Sequence, residues 1–291
     1  MKKGVLLAVV TGTPSDVDVL EAALALSHLY DSHIEVLHPR LDPYRVLAGF
    51  IDGINGLGTS DIVAGIRLDI DRRQQVARGA FNAWTAQHGI RQGNEIGKNG
   101  AGRGESATSS WRQYEGTYEG AMMQIGRLVD FIVVAQPGPG GRAWQDSVVE
   151  AAIFNTGRPV LCVPAGTRNL DSKSVAIMWN GSLEAARAVG AAMPLLSACG
   201  SVTVVTAGRS EGADPTDLVE RLVVRGIEAR TKRIHPAQEL TPSALHALIV
   251  EGKYGLVVMG GYGHSRLREL VLGGLTRHML AEAKVPILLA H

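Results

Sequence analysis

Leu256-Val257-Val258-Met259-Gly260-Gly261-Tyr262-Gly263 decides the reading of this chain, together with the nine residues from His264 to Leu272 and the pair Gly273-Gly274 that follows. A short apolar, β-branched run breaks off into glycines. The second glycine pair then opens a helix-like run from Leu275 to Ala283. Glycine allows backbone to approach a ligand closely, and a helix N-terminus presents unpaired N–H groups with partial positive charge. A strand, a glycine turn and a helix start in this order suit a phosphate group.

Working outward, the same plan is written twice. Val5 to Val10 is apolar and ends in Thr11-Gly12-Thr13-Pro14-Ser15. A helical period covers Val17 to Tyr30, and a strand follows at Ile34 to Leu37. Val175 to Trp179 likewise ends in Asn180-Gly181-Ser182, with a helical period over Leu183 to Leu196 and a strand at Val202 to Thr206. These three elements repeat at one constant offset. Further on, Phe131 to Ala135 matches Gly255 to Met259, and Pro159-Val160-Leu161-Cys162-Val163 matches Pro286-Ile287-Leu288-Leu289. A proline at a strand start removes no ladder bond. Strands alternating with helices give a parallel sheet covered on its faces. The expectation is an α/β protein of two similar domains, 1–165 and 172–291, joined through Ala165 to Asp171.

Bulk properties narrow the function. The chain has 291 residues, 45% hydrophobic and 20% charged, which fits about two globular domains. A net charge of +1, from 29 basic and 28 acidic residues, offers no nucleic-acid or membrane footprint. Cys162 and Cys199 lie in apolar runs without a CxxC partner, as free thiols do in a reducing compartment. Met1 to Leu7 is basic then apolar, but Gly12-Thr13-Pro14 interrupts the run, so it reads as a first strand. The expected location is the cytoplasm.

Between its second and fourth strands the N-terminal half carries extra chain: a loop near Asp42 to Thr59, a helix near Ile66 to Gln87, and a glycine-rich surface loop from Gly89 to Ser109.

Two blocks, Ala176-Ile177-Met178-Trp179-Asn180-Gly181-Ser182-Leu183-Glu184-Ala185 and Val258 to Thr276, make the chain resemble the universal stress protein family in its tandem form. The second block follows the pattern of the ATP-binding members: Gly260, two residues, Gly263, nine residues, then Gly273. The resemblance implies a five-stranded, mainly parallel sheet in each domain with helices on both faces. Such a fold is Rossmann-like, of the adenine nucleotide alpha-hydrolase-like kind, with its ligand at the carboxyl ends of the strands. It further implies ATP, ADP or AMP, with or without magnesium, in the C-terminal domain. Trp179, Asn180, Val205, Met259 and Gly260 would then flank base and ribose. Gly263, His264, Ser265, Arg266, Gly273, Gly274, Leu275 and Thr276 would face the phosphates.

This chain departs from the family pattern at two places. Asn180 stands where ATP-binding members carry aspartate, and Gly274 where they carry Ser or Thr. One hydrogen bond to a charged group is worth roughly 1.5–3 kcal/mol, so the loss of one can weaken binding without abolishing it. The N-terminal copy reads Ala135-Gln136-Pro137-Gly138-Pro139, whose prolines lack N–H groups, and its expected role is structural.

No GxxxxGK[ST] motif, zinc spacing among the histidines, or nucleophile–base arrangement is present in the sequence. Binding is therefore favoured over catalysis, with slow ATP hydrolysis as the most an enzyme reading allows. The expected function is a ligand-modulated stress-response regulator. The alternative is a nucleotide-free interaction or dimerisation module. Expected partners are the nucleotide, an internal pseudo-dimer contact through Val160 to Val163 and Ile287 to Ala290, a homodimer, and an unidentified protein.

Overall fold

The structure is a computed structural model in which residues 4–48, 59–93, 107–138, 143–207, 212–234, 242–261 and 274–291 are described. The N-terminal half runs β1 (Gly4–Val9), α1 (Asp16–Tyr30), β2 (Ser32–Leu41), α2 (Pro43–Ala48), α3 (Thr59–Gln87) and β3 (Arg91–Gln92). It continues through β4 (Thr108–Gly116), α4 (Tyr118–Gln124), β5 (Phe131–Ala135), α5 (Ala143–Thr156) and β6 (Val160–Val163). The C-terminal half runs β7 (Ser174–Met178), α6 (Leu183–Ala198), β8 (Ser201–Ala207), α7 (Pro215–Val224) and β9 (Ala229–Ile234). It ends with α8 (Pro242–Glu251), β10 (Leu256–Gly260), α9 (Gly274–Glu282) and β11 (Ile287–Ala290).

All of these strands join one sheet, in the order β3-β4-β2-β1-β5-β6-β11-β10-β7-β8-β9. Every described pairing is parallel except that of β6 with β11, where Cys162 faces Ile287, Leu161 faces Leu288 and Val160 faces Leu289. The expected pair of separate five-stranded domains is therefore corrected to a single continuous mixed sheet of eleven strands. The physical reason lies in β6 and β11. Both are wholly buried and apolar, and a bare apolar edge invites pairing, so each edge is closed by the other.

Period-two alternation divides the core between the two faces of the sheet. Leu6, Ala8 and Val10 point to the face covered by α1, α3, α6 and α7. Leu7 and Val9 point to the face covered by α4, α5, α8 and α9. Both layers cross the midline. The Tyr30 hydroxyl on α1 donates to the Ala191 carbonyl on α6 at 2.7 Å. Opposite, Val149 and Ile153 of α5 share a cluster with Met279 and Leu280 of α9.

Several local expectations change. The loop near Asp42 contains α2, the following helix begins at Thr59 rather than Ile66, and the glycine-rich stretch contains β3 and the start of β4. The repeat is also not in constant step. The Val10 N–H donates to Leu37 O, and the Trp179 N–H donates to Val205 O. These equivalent pairs differ by one residue in spacing, so Thr11, not Gly12, is the counterpart of Asn180.

Candidate functional site

β7 lies between β10 and β8. From β7 the chain moves to β8 on one side, and later returns to β10 on the other. In open α/β sheets such a reversal of direction opens a crevice at the carboxyl ends of the two central strands. Met178 and Met259 are paired across it near those ends. β10 and β11 are parallel, so the connecting helix α9 returns against the strands and its N-terminus, at Gly274, faces the same end.

The turn after β7 is built by local hydrogen bonds. Asn180, exposed, accepts the Ser182 N–H on Oδ1 at 3.1 Å, and Gly181 takes the left-handed φ of 79° that this turn needs. Ser182 then caps α6 by accepting the Ala185 N–H at 3.2 Å. Trp179 is buried, and its indole N–H donates to Ala213 O at 2.9 Å. It belongs to the core and ties down the loop that precedes α7. Val205 is buried too, and its carbonyl accepts the Trp179 N–H at 2.8 Å.

Gly260 brings β10 against α6. A Cβ there would lie 2.5 Å from Ala185 N and 2.8 Å from the Glu184 carbonyl carbon. Gly261 donates its N–H to Ala290 O at 2.8 Å, while its carbonyl accepts from His291 Nδ1 at 3.2 Å. Met259 is buried beside it, and Thr276, in the first turn of α9, is buried as well. Gly274 and Leu275 are the first two residues of α9. Gly263, His264, Ser265, Arg266 and Gly273 lie outside the described residues. The structure thus places Asn180, Met259 and Gly260 at the carboxyl ends of β7 and β10, and it commits Trp179 and the Val205 carbonyl to the fold.

The corresponding position in the N-terminal half is occupied. A Cβ on Gly12 would run into the Arg73 backbone, so α3 lies directly on the turn after β1. Asp16 fills that turn, accepting the Thr11 N–H at 2.9 Å and the Gly12 N–H at 2.8 Å. Burial pushes its carboxyl up to about 6, against the lowering effect of these N–H groups. Close by, burial keeps the His38 imidazole below its ordinary pKa, and its Nδ1 is bonded to Val10 O.

Sequence reasoning did not single out Ser182, the α6 N-terminus or Gln136 as parts of this region. Ser182 had a readable signal, since Ser before a helical period is an N-cap preference. Gln136 had none.

The described chemistry is sparse. Among the described residues no group of three or more His, Cys, Asp or Glu is placed to hold a metal ion. Asp214 is held below the usual carboxylate range by the Thr216 backbone N–H, as the N-cap of α7. Cys162 is buried with its thiol pushed up by desolvation. No described helix is long and apolar enough to cross a membrane.

No family model matches the chain, and no curated protein sequence matches it. Solved structures do. A universal stress protein from Archaeoglobus fulgidus DSM 4304 superposes with a TM-score of 0.62 at 14% identity, covering 100% of this chain and 99% of that one. A protein assigned to the universal stress proteins, from Pseudomonas aeruginosa UCBPP-PA14, gives 0.52 at 12% identity, over 99% of this chain and 93% of that one. A functionally unknown protein from Pseudomonas aeruginosa PAO1 gives 0.52 at 12% identity, over 99% and 92%. Each likeness runs nearly end to end in both chains. The expected tandem of two universal stress domains, the second carrying an ATP-binding motif, is thereby corrected: what is shared with universal stress proteins is the fold, as one undivided eleven-stranded architecture.

Proposed function

We propose that this chain binds an adenine nucleotide, ATP first among them, at the carboxyl ends of β7 and β10, and that it acts as a ligand-modulated regulator in stress response. The observation that carries this reading is the coincidence of two independent features. The topological reversal between β7 and β10 marks a crevice, and the Gly260–Gly263–Gly273 spacing falls in the connection that leads from β10 to α9. Base and ribose lie between Asn180 and Met259, and the phosphates lie toward the start of α9. His264, Ser265, Arg266 and Thr276 supply polar contacts there, with magnesium accompanying the triphosphate. The reading asks for binding and for no catalytic step.

A ligand that binds only the folded chain raises its stability by RT ln(1 + [L]/Kd). Melting in a series of MgATP concentrations tests this. The midpoint is expected to climb steadily through the millimolar range, and a midpoint that stays fixed counts against the reading. One observation favours a second reading, a nucleotide-free interaction module. Asn180 Oδ1, the Trp179 indole N–H and the Val205 carbonyl are engaged within the protein's own turns and sheet. A fixed midpoint supports that alternative.

A further inference from the structure

The helix that opens toward the proposed phosphates is held at its far end by the opposite half of the chain. Gln136 follows β5 at the place Gly261 takes after β10. The Gln136 N–H donates to Val163 O at 2.7 Å, as the Gly261 N–H does to Ala290 O. Unlike glycine, Gln136 sends a side chain across the midline. Its Nε2 donates to the carbonyl of Ala283, the residue that follows α9, at 2.8 Å, and to Met279 O in the last turn of α9 at 3.3 Å. The last carbonyls of a helix lack intrahelical donors; Met279 O takes the Ala283 N–H, and Gln136 supplies a donor to the Ala283 carbonyl just beyond. The same half contributes Val148, Val149 and Ile153 of α5 to the cluster that buries Met279 and Leu280. Arg277 stands 4.0 Å from Glu150 of α5. Just after β11, the His291 ring bonded to Gly261 O packs edge-on against Phe154 of α5, at 5.6 Å.

We infer that Gln136 is a positioning residue for the proposed nucleotide site, through which the N-terminal half sets the affinity of the C-terminal half for phosphate. The inference rests on the nucleotide reading above and adds its regulation. A helix of nine residues, as α9 is, has little stability of its own, so its docking decides where its N-terminal N–H groups point. Contacts at base and ribose come from the turns after β7 and β10. They do not pass through α9.

The test compares the full-length wild type with Gln136→Leu. Gln136 Oε1 has no partner among the described residues, so the substitution also removes a buried unpaired acceptor, and the variant is expected to fold. Gln136→Met is the second variant if it does not. Calorimetric titration with MgATP is expected to show about tenfold weaker binding in the variant, with adenosine changed by less than about twofold. Hydrogen exchange at residues 276–282, without nucleotide, is expected to quicken. Equal weakening for both ligands, or unchanged MgATP affinity, overturns the inference. So does unchanged exchange in α9, whether or not nucleotide binds. Wild type that takes up neither ligand overturns the nucleotide reading itself, a distinct outcome.

Discussion

Replacing Gly260 by alanine tests the close approach of β10 to α6. Gly260 is not among the glycines with positive φ, so alanine meets no torsional penalty there. Within a strand it would even gain roughly 0.5–1 kcal/mol from the smaller loss of backbone entropy. The obstacle is steric. The added methyl carbon would stand 2.5 Å from Ala185 N, 2.8 Å from the Glu184 carbonyl carbon and 3.0 Å from Glu184 Cβ. Two of these atoms are backbone in the first turn of α6 and cannot swing aside. Moving them also strains the cap in which Ser182 accepts the Ala185 N–H. Overpacking of this kind costs about 1–3 kcal/mol, and a weakened cap adds up to about 1 kcal/mol. Against the entropy gain, the net expectation is a loss of about 2 kcal/mol. Gly190 provides the opposite case. It is exposed inside α6, and a Cβ there meets nothing within 4 Å. Gly190→Ala should therefore stabilise by about 1 kcal/mol. Urea unfolding followed by far-ultraviolet circular dichroism reads both, as shifts of midpoint at constant slope. Gly260→Ala within about 0.5 kcal/mol of wild type, or shifted the same way as Gly190→Ala, would refute the steric reasoning.

Leu161 and Leu288 face one another where β6 meets β11, both fully buried. Truncating either to alanine is expected to cost about 2–5 kcal/mol, and to shift the unfolding of probes in both halves together. Separate transitions in the two halves would contradict a single cooperative sheet. Asp16 gives a pH dependence. Its carboxyl titrates at about 6 in the folded chain against an ordinary 3.8, so the stability it contributes is complete below 3.8 and is lost as pH rises through about 6. Wild type should lose up to about 3 kcal/mol relative to Asp16→Asn between about pH 4 and 6, and a difference independent of pH would contradict the burial of this carboxyl.

Much of the fold was legible wherever a strand is buried on both faces. β1, β5, β7 and β10 are apolar runs bounded by turn residues, and such runs identify themselves. β4 and β9 escaped notice because they lie toward the edges of the sheet. Thr108 to Gly116 mixes Trp111 with Arg112, Gln113 and Glu115, and Arg230 to Arg233 is exposed, so neither shows an apolar period. α2 lies in the stretch read as loop; Pro43 opens it, and proline suits a first helical turn. A contact between Val160 to Val163 and Ile287 to Ala290 was expected from the family resemblance, as an internal pseudo-dimer of two domains, but not the joining of two sheets into one. A hydrophobic pattern shows that β6 and β11 want burial, but not that each provides it for the other. At the site, the glycines that follow β10 pointed to Gly260 through chain punctuation, whereas Asn180 was singled out by the resemblance to the universal stress protein family. Trp179 was ambiguous between core and ligand, since its indole partner, Ala213, lies in a distant loop. Gln136 could not be found by pattern, because one polar residue after a strand says nothing about a helix terminus contributed by the other half.

The occupant proposed for the crevice between β7 and β10 is an adenine nucleotide. Mass spectrometry of the small molecules released from freshly purified protein, quantified against protein, tests it most directly. ATP, ADP or AMP is expected near one per chain, or uptake to that level when the protein is equilibrated with millimolar MgATP and desalted. Protein that carries none, and takes none up, would contradict it.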